Sequence, residues 1–222
     1  MQKQFIVTED GSHTIYLPEM NEHYHSVHGA IQESLHIYIE QGLLQLTNKE
    51  LSILEIGFGT GLNAWLTYCF ARQNKLKINY FTLEKYPLNE SEYLKLNYTE
   101  TIFPEHAEVF RQMHFSEWGR PVKISPDFML QKINTDLTTY NFNQTHQFDL
   151  VYFDAFAPDK QPEMWTEEIL QNVAKTVCKN GILLTYCAKG TVRRAFSSAG
   201  FNMERIPGPP GKKEILRGKK AI

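Results

Sequence analysis

Apolar residues recur along this chain with two different periods, and the switch between them marks out the elements. FIVTEDGSHTIYLP alternates on either side of Asp10-Gly11 and predicts a hairpin. GAIQESLHIYIEQGLL instead puts Ile31, Leu35, Tyr38 and Ile39 on one face of a packed helix. From residue 51 onward, short apolar runs alternate with helical patterns. LSILEIG, KINYFTLEKY, VKISPDFMLQKI, FDLVYFDAF and GILLTYCA are the strand-like runs, with LNAWLTYCFARQ and TEEILQNVAKTVCKNG among the helices between them. Such alternation predicts an α/β fold with a parallel sheet covered on both faces. TVRRAFSSAG reads as a short helix capped by Thr191 and stopped by Gly200. FNMERIPGPPGKKEILRG follows as two strands around a Pro/Gly-stiffened loop, and with no helix between them they must pair antiparallel. One domain is expected, with residues 1–48 as an N-terminal extension and 49–222 as a Rossmann-like core.

Composition adds bounds. A 222-residue chain with 42% apolar and 22% charged residues is an ordinary folded globule. It contains no apolar run long enough for a bilayer span, and its first residues lack the layout of a signal peptide, so a cytoplasmic protein without membrane association is expected. Cys69, Cys178 and Cys187 are far apart and form no CxxC pair; they are expected to be reduced. Charge is placed unevenly. From Lys189 onward nine Lys/Arg face two acids, a surplus of seven positive charges in a chain of net charge -2. By itself this run suits a solvated tail as well as a polyanion partner.

The chemistry gathers at two strings. In LEIGFGTGLN, glycines at 57, 59 and 61 follow an apolar strand, where a sharp turn and close approach of a ligand to backbone amides exclude a Cβ. The dinucleotide spacing GxGxxG would need glycine at 62, where Leu62 stands, so a nicotinamide dehydrogenase is the weakest reading. The ExGxGxG spacing, with Glu55 in the lead, resembles the first motif of S-adenosylmethionine-dependent methyltransferases. Glu84, ending the next strand, is placed to accept from ribose hydroxyls. On the third strand KINTD offers only Asn134 or Asp136 to an adenine. In FDLVYFDAFAPDKQPEMW, the strand delivers Asp154 to the carboxyl edge of the sheet, and a proline-stiffened loop bearing Phe156, Met164 and Trp165 follows before Thr166 caps a helix.

GFGTGLN, DAFAPDKQPEMW, VRRAFSSAGF and GPPGKKEIL together resemble the motifs of the MnmC/MnmD-type tRNA methyltransferases, and YHSVHGAIQESLHIYI resembles that family's N-terminal block. The likeness runs from about Tyr24 to Leu216. It implies a class I methyltransferase sheet ending in an antiparallel hairpin, S-adenosylmethionine as cofactor, and methylation of the 5-aminomethyl amine of a wobble (2-thio)uridine in tRNA. The chain resembles the stand-alone methyltransferase form rather than the bifunctional one. Carried onto this sequence, the resemblance implies cofactor contacts from Glu55, Gly57, Gly59, Gly61, Asn63, Glu84 and Asn134, with Asp154 as base. It implies substrate contacts from Tyr24, His25, Glu33, Phe156 and Trp165, and phosphate contacts from Lys189, Arg193, Lys212 and Lys213. His23, His25 and His28 lack the acids or cysteines of a zinc site, and no metal is expected. A small-amine methyltransferase, an aminopropyltransferase-like enzyme, and a non-catalytic RNA-binding protein of the same fold stand as alternatives.

Overall fold

The N-terminal residues fold onto themselves before the main sheet begins. In a computed structural model that describes residues 2–142 and 147–221, β1 (Gln4–Val7), β2 (His13–Leu17) and β3 (Glu22–His23) form a small antiparallel sheet. The expected Asp10-Gly11 hairpin is therefore present, with a third short strand beside it. Next comes α1 (Ala30–Ser34), which continues as a π-helical stretch over Leu35–Glu40 and buries Ile31, Tyr38 and Ile39.

The central sheet begins with β4 (Glu50–Ile56), followed by α2 (Leu62–Gln73) and β5 (Lys77–Glu84). Short helices α3 (Glu90–Tyr93) and α4 (Tyr98–Thr101) precede α5 (Ala107–Phe115), β6 (Pro121–Ser125) and β7 (Phe128–Asn134). Then come β8 (Phe148–Phe153), α6 (Glu167–Lys175), β9 (Val177–Thr185), α7 (Gly190–Ser198), β10 (Phe201–Pro207) and β11 (Glu214–Lys220). The strand order is β10-β11-β9-β8-β4-β5-β7-β6. Its middle pairs are parallel, and β10 with β11 forms the expected antiparallel hairpin.

Strand periodicity divides the core in two. Leu51, Ile53, Tyr80, Leu130 and Tyr152 face α2 and α5, while Leu54, Ile56, Leu83, Val151 and Phe153 face α6 and α7. Both faces are covered, which is why these strands are almost continuously apolar.

Three local expectations are corrected. VKISPDFMLQKI is two strands, because Pro126-Asp127 breaks it into an antiparallel β6/β7 pair that ends the sheet. The cap of α7 is Lys189, whose carbonyl accepts from Arg193 N–H at 3.0 Å, so Thr191 already lies inside the helix. TVCKNG leaves the helix early: Thr176 closes α6 and Val177 opens β9, in keeping with the strand preference of β-branched residues. Gly200 (φ 91°) stops α7, and Thr166 caps α6 by accepting from Ile169 N–H, both as expected.

The chain runs outward from β4 through β5 to β7 and β6, then returns to place β8 on the other side of β4. The carboxyl ends of β4 and β8 therefore diverge, leaving a crevice where open α/β sheets bind ligands.

Candidate active site

β4 delivers the chain into this crevice through Gly57 to Gly61. Gly57 (φ 93°) passes so close to β8 that a Cβ there would lie 2.9 Å from the carbonyl of Asp154. At Gly59 (φ 50°) a Cβ would press on the Tyr24 ring at 3.1 Å. Both positions need glycine for conformation and for space. Gly57 and Gly59 line a cleft of about 340 Å³. Gly61 turns away from it, toward His114 and Phe58, and caps α2.

Glu84 closes one side of the cleft from the end of β5. Its Oε2 accepts from Gly59 N–H at 2.9 Å and its Oε1 from Tyr86 N–H at 2.7 Å. Burial raises the carboxyl above its ordinary pKa. Each oxygen keeps a lone pair for a further donor from the cleft. Asn134 does not reach the cleft. Its amide donates to the carbonyls of Glu84 and Lys85 at 2.9 and 3.1 Å, tying β7 to β5. Thr135, Asp136 and Leu137 line the cleft at this end, with Asp136 paired to Lys85 at 2.7 Å.

Asp154 stands at the end of β8, opposite Glu84. Tyr38 donates its hydroxyl to Oδ1 at 2.6 Å and Asn63, in the first turn of α2, donates its amide to Oδ2 at 2.8 Å. The carboxyl opens only to the cleft, and desolvation pushes its pKa up to about 6, with the nearby Glu33 charge adding to the rise and the Tyr38 bond opposing it. At neutral pH it is mostly a carboxylate.

Glu55 is corrected from cofactor contact to support. It shares its sheet face with Leu51 and Ile53, so its side chain points beneath the glycine loop and is fully buried. Its Oε2 accepts from the Thr82 hydroxyl at 2.8 Å. Burial raises its pKa well above the ordinary carboxylate value, and the Asp154 charge adds to this.

The roof comes from the N-terminal block. Tyr24 meets the Phe156 ring edge-on at 5.2 Å, and both line the cleft. His25 is buried with Nε2 2.8 Å from the Thr60 hydroxyl, which pins the glycine loop, and burial lowers its pKa to about 4. Glu33 accepts from Ser26 N–H at 3.0 Å and pairs with Lys212 at 2.7 Å. Lys160 donates to the carbonyl of Met20 at 2.8 Å and holds the block against the loop after β8. His23 lies against Tyr16 and His28 against Glu9, so the three histidines diverge. Among the described residues no three His, Cys, Asp or Glu side chains come together as metal ligands.

Trp165 is corrected as well. A 3₁₀ turn over Pro162–Trp165 rotates it inward, where it packs on Phe153 at 4.8 Å and donates to the Phe156 carbonyl at 2.8 Å. It holds Phe156 in place instead of presenting a stacking face. Met164 does line the cleft. Of the basic candidates, Lys212 points into the cleft, Lys189 pairs with Asp159 at 2.5 Å, and Arg193 and Lys213 lie exposed outside it. Tyr38, Thr60 and Tyr186 are site residues that the sequence did not reveal. Tyr38 read only as a packed helical position, and nothing in YCAKG distinguished Tyr186. The three cysteines are free thiols, two of them buried.

The glycine cradle, the Glu84 carboxylate and the half-buried Asp154 across the crevice fit a nucleoside bearing a charged tail. No described helix is long and apolar enough to cross a membrane. Comparison with known proteins agrees with this architecture. Two bifunctional proteins named for tRNA 5-methylaminomethyl-2-thiouridine biosynthesis are similar: one from Pseudomonas savastanoi is 29% identical over 90% of this chain, and one from Leptospira borgpetersenii is 31% identical over 88%. The chain spans about a third of the length of each. The crystal structure of MNMC2 from Aquifex aeolicus superposes with a TM-score of 0.79 at 24% identity, covering 100% of this chain and 71% of that one, and shares the fold. A profile described as S-adenosyl-L-methionine-dependent methyltransferase matches residues 92–221, and with more than half its length matched the chain belongs to that family.

Proposed function

We propose that this protein methylates the amine of a 5-aminomethyl group on a wobble (2-thio)uridine in tRNA, acting in the cytoplasm on the anticodon stem-loop. The observation that carries the reading is Asp154: a carboxylate at a strand end, held by Tyr38 and Asn63, facing the cleft across from Glu84. The names of the relatives support the choice of substrate.

S-adenosylmethionine, when bound, supplies an electrophilic methyl group on a sulfonium. Glu84 would hold the ribose hydroxyls, and the backbone at Gly57 and Gly59 would lie against the amino-acid tail. Asp136 and Leu137, which line the cleft beyond Glu84, would flank the adenine. An alkylammonium has no lone pair and cannot attack a methyl group. Asp154 would accept its proton, leaving a neutral amine free to take the methyl group that a bound S-adenosylmethionine would supply. A base with a pKa near 6 is mostly free to accept a proton at pH 7, and general base help of this kind is worth roughly 10²–10⁴-fold. Phe156 and Tyr24 form an aromatic corner for the uracil of a base turned out of its stack. Arg193 and Lys213 are exposed for the phosphates.

Incubation with methyl-labelled S-adenosylmethionine and tRNA prepared with or without 5-aminomethyluridine, followed by nucleoside mass spectrometry, tests the reading. Label confined to the amine-bearing tRNA supports it, and label in neither refutes it.

A further inference from the structure

Lys212 is the one cation of the basic C-terminal run that turns into the cleft, and its surroundings form a complete site for an ammonium group. Its Nζ lies 2.7 Å from Glu33 Oε2 and 5.0 Å above the ring of Tyr186. Tyr186 is fixed in turn by its hydroxyl, which donates at 2.9 Å to the carbonyl of Ala155, the residue after Asp154. The Lys212 charge also acts on Asp154, whose carboxyl it helps keep ionised. One carboxylate in contact, a second within electrostatic reach and an aromatic face beneath are what an alkylammonium requires.

The two partners differ in freedom. Glu33 is buried on α1, with Oε1 held by Ser26 N–H. Lys212 sits on the β10–β11 turn with its side chain 27% exposed, against 10% for Glu33. The lysine can therefore swing out, while the carboxylate stays. A second ammonium entering beside Lys212 would meet a like charge in a poorly solvated pocket.

We propose that the Glu33, Tyr186 and Asp154 pocket is the seat of the acceptor's alkylammonium, and that Lys212 occupies it as an internal stand-in until the acceptor displaces it. This rests on the amine-methylating reading above. Glu33 then fixes the nitrogen and Asp154 takes its proton. Lys212 makes the pocket selective for acceptors with enough other contacts to displace it.

Two measurements test this. In steady-state kinetics with an anticodon stem-loop carrying 5-aminomethyluridine, Lys212→Met lowers KM by ~10-fold, because the competent state no longer has to be won from an internal competitor. Glu33→Gln raises KM by a comparable factor, and neither substitution changes the affinity for S-adenosylmethionine. A raised or unchanged KM in Lys212→Met, or weakened S-adenosylmethionine binding, overturns the proposal by making Lys212 a phosphate contact, a structural tie or a cofactor ligand. The second measurement needs no turnover, so it stands even if the tRNA reading fails. Methylammonium chloride should increase acylation of Lys212 by acetic anhydride relative to that of the exposed Lys75 in the same sample, a ratio that corrects for reagent consumed by methylamine, read by peptide mass spectrometry against sodium chloride at equal ionic strength. An equal Lys212 to Lys75 acylation ratio in the two salts contradicts displacement.

Discussion

The cleft has two walls of different construction. One is made of strand ends: Gly57 after β4, Glu84 at the end of β5 and Asp154 after β8, each anchored by the parallel ladder behind it. The other is made of residues 17–33 and the β10–β11 turn; Leu17, Ala30 and Ile31 pack into the core, while its cleft-facing edge is tied by single side-chain contacts such as His25 to Thr60, Lys160 to Met20, His36 to the Pro207 carbonyl, and Lys212 to Glu33. The difference separates two tasks. A donor of fixed shape suits a rigid wall, and an acceptor carried on a macromolecule suits one that can yield.

If the strand-end wall carries the chemistry, the largest effect belongs to Asp154. Asp154→Asn is expected to lower single-turnover transfer by roughly 10²–10⁴-fold. The same substitution should not destabilise the fold. A carboxyl raised from 3.8 to about 6 binds its proton more tightly in the native state, so its contribution to stability falls as pH rises from about 4 to 6. Removing the charge should add about 3 kcal/mol at pH 7 in urea unfolding. The support beneath comes next. Glu55→Ala should cost about 2–4 kcal/mol, by opening a cavity and leaving the Thr82 hydroxyl without its acceptor, whereas Glu55→Gln should cost little because burial favours the neutral form of the native group and the amide keeps an acceptor for Thr82. Equal losses from the two would mean that Glu55 is ionised. A third, smaller effect is pH dependence. Activity should be near its plateau at pH 7 and about tenfold lower at pH 5, as Asp154 takes a proton below about 6. The smallest lies outside both walls, where Arg193→Ala with Lys213→Ala should weaken tRNA binding only several-fold and flatten its salt dependence.

What could be read from the sequence follows the same division. The glycine loop, Glu84 and Asp154 were legible because strand ends are short-range events: an apolar run, a turn and an acid stand together in sequence. The antiparallel ending of the sheet was legible from the absence of a helix between two strands. The role of Glu55 was not, because motif spacing places a residue on a strand without saying which face it takes. Trp165 was misread for a related reason, since a 3₁₀ turn decides which of Met164 and Trp165 meets the cleft. The pairing of Lys212 with Glu33 spans most of the chain, and charge counting saw only a basic tail.

The central claim is that the strand-end wall seats S-adenosylmethionine, and calorimetric titration with that compound tests it most directly. One site per chain is predicted, weakened ~100-fold in Glu84→Ala, as the loss of two charge-assisted hydrogen bonds would require. Absence of binding, or binding that Glu84→Ala leaves intact, would contradict it.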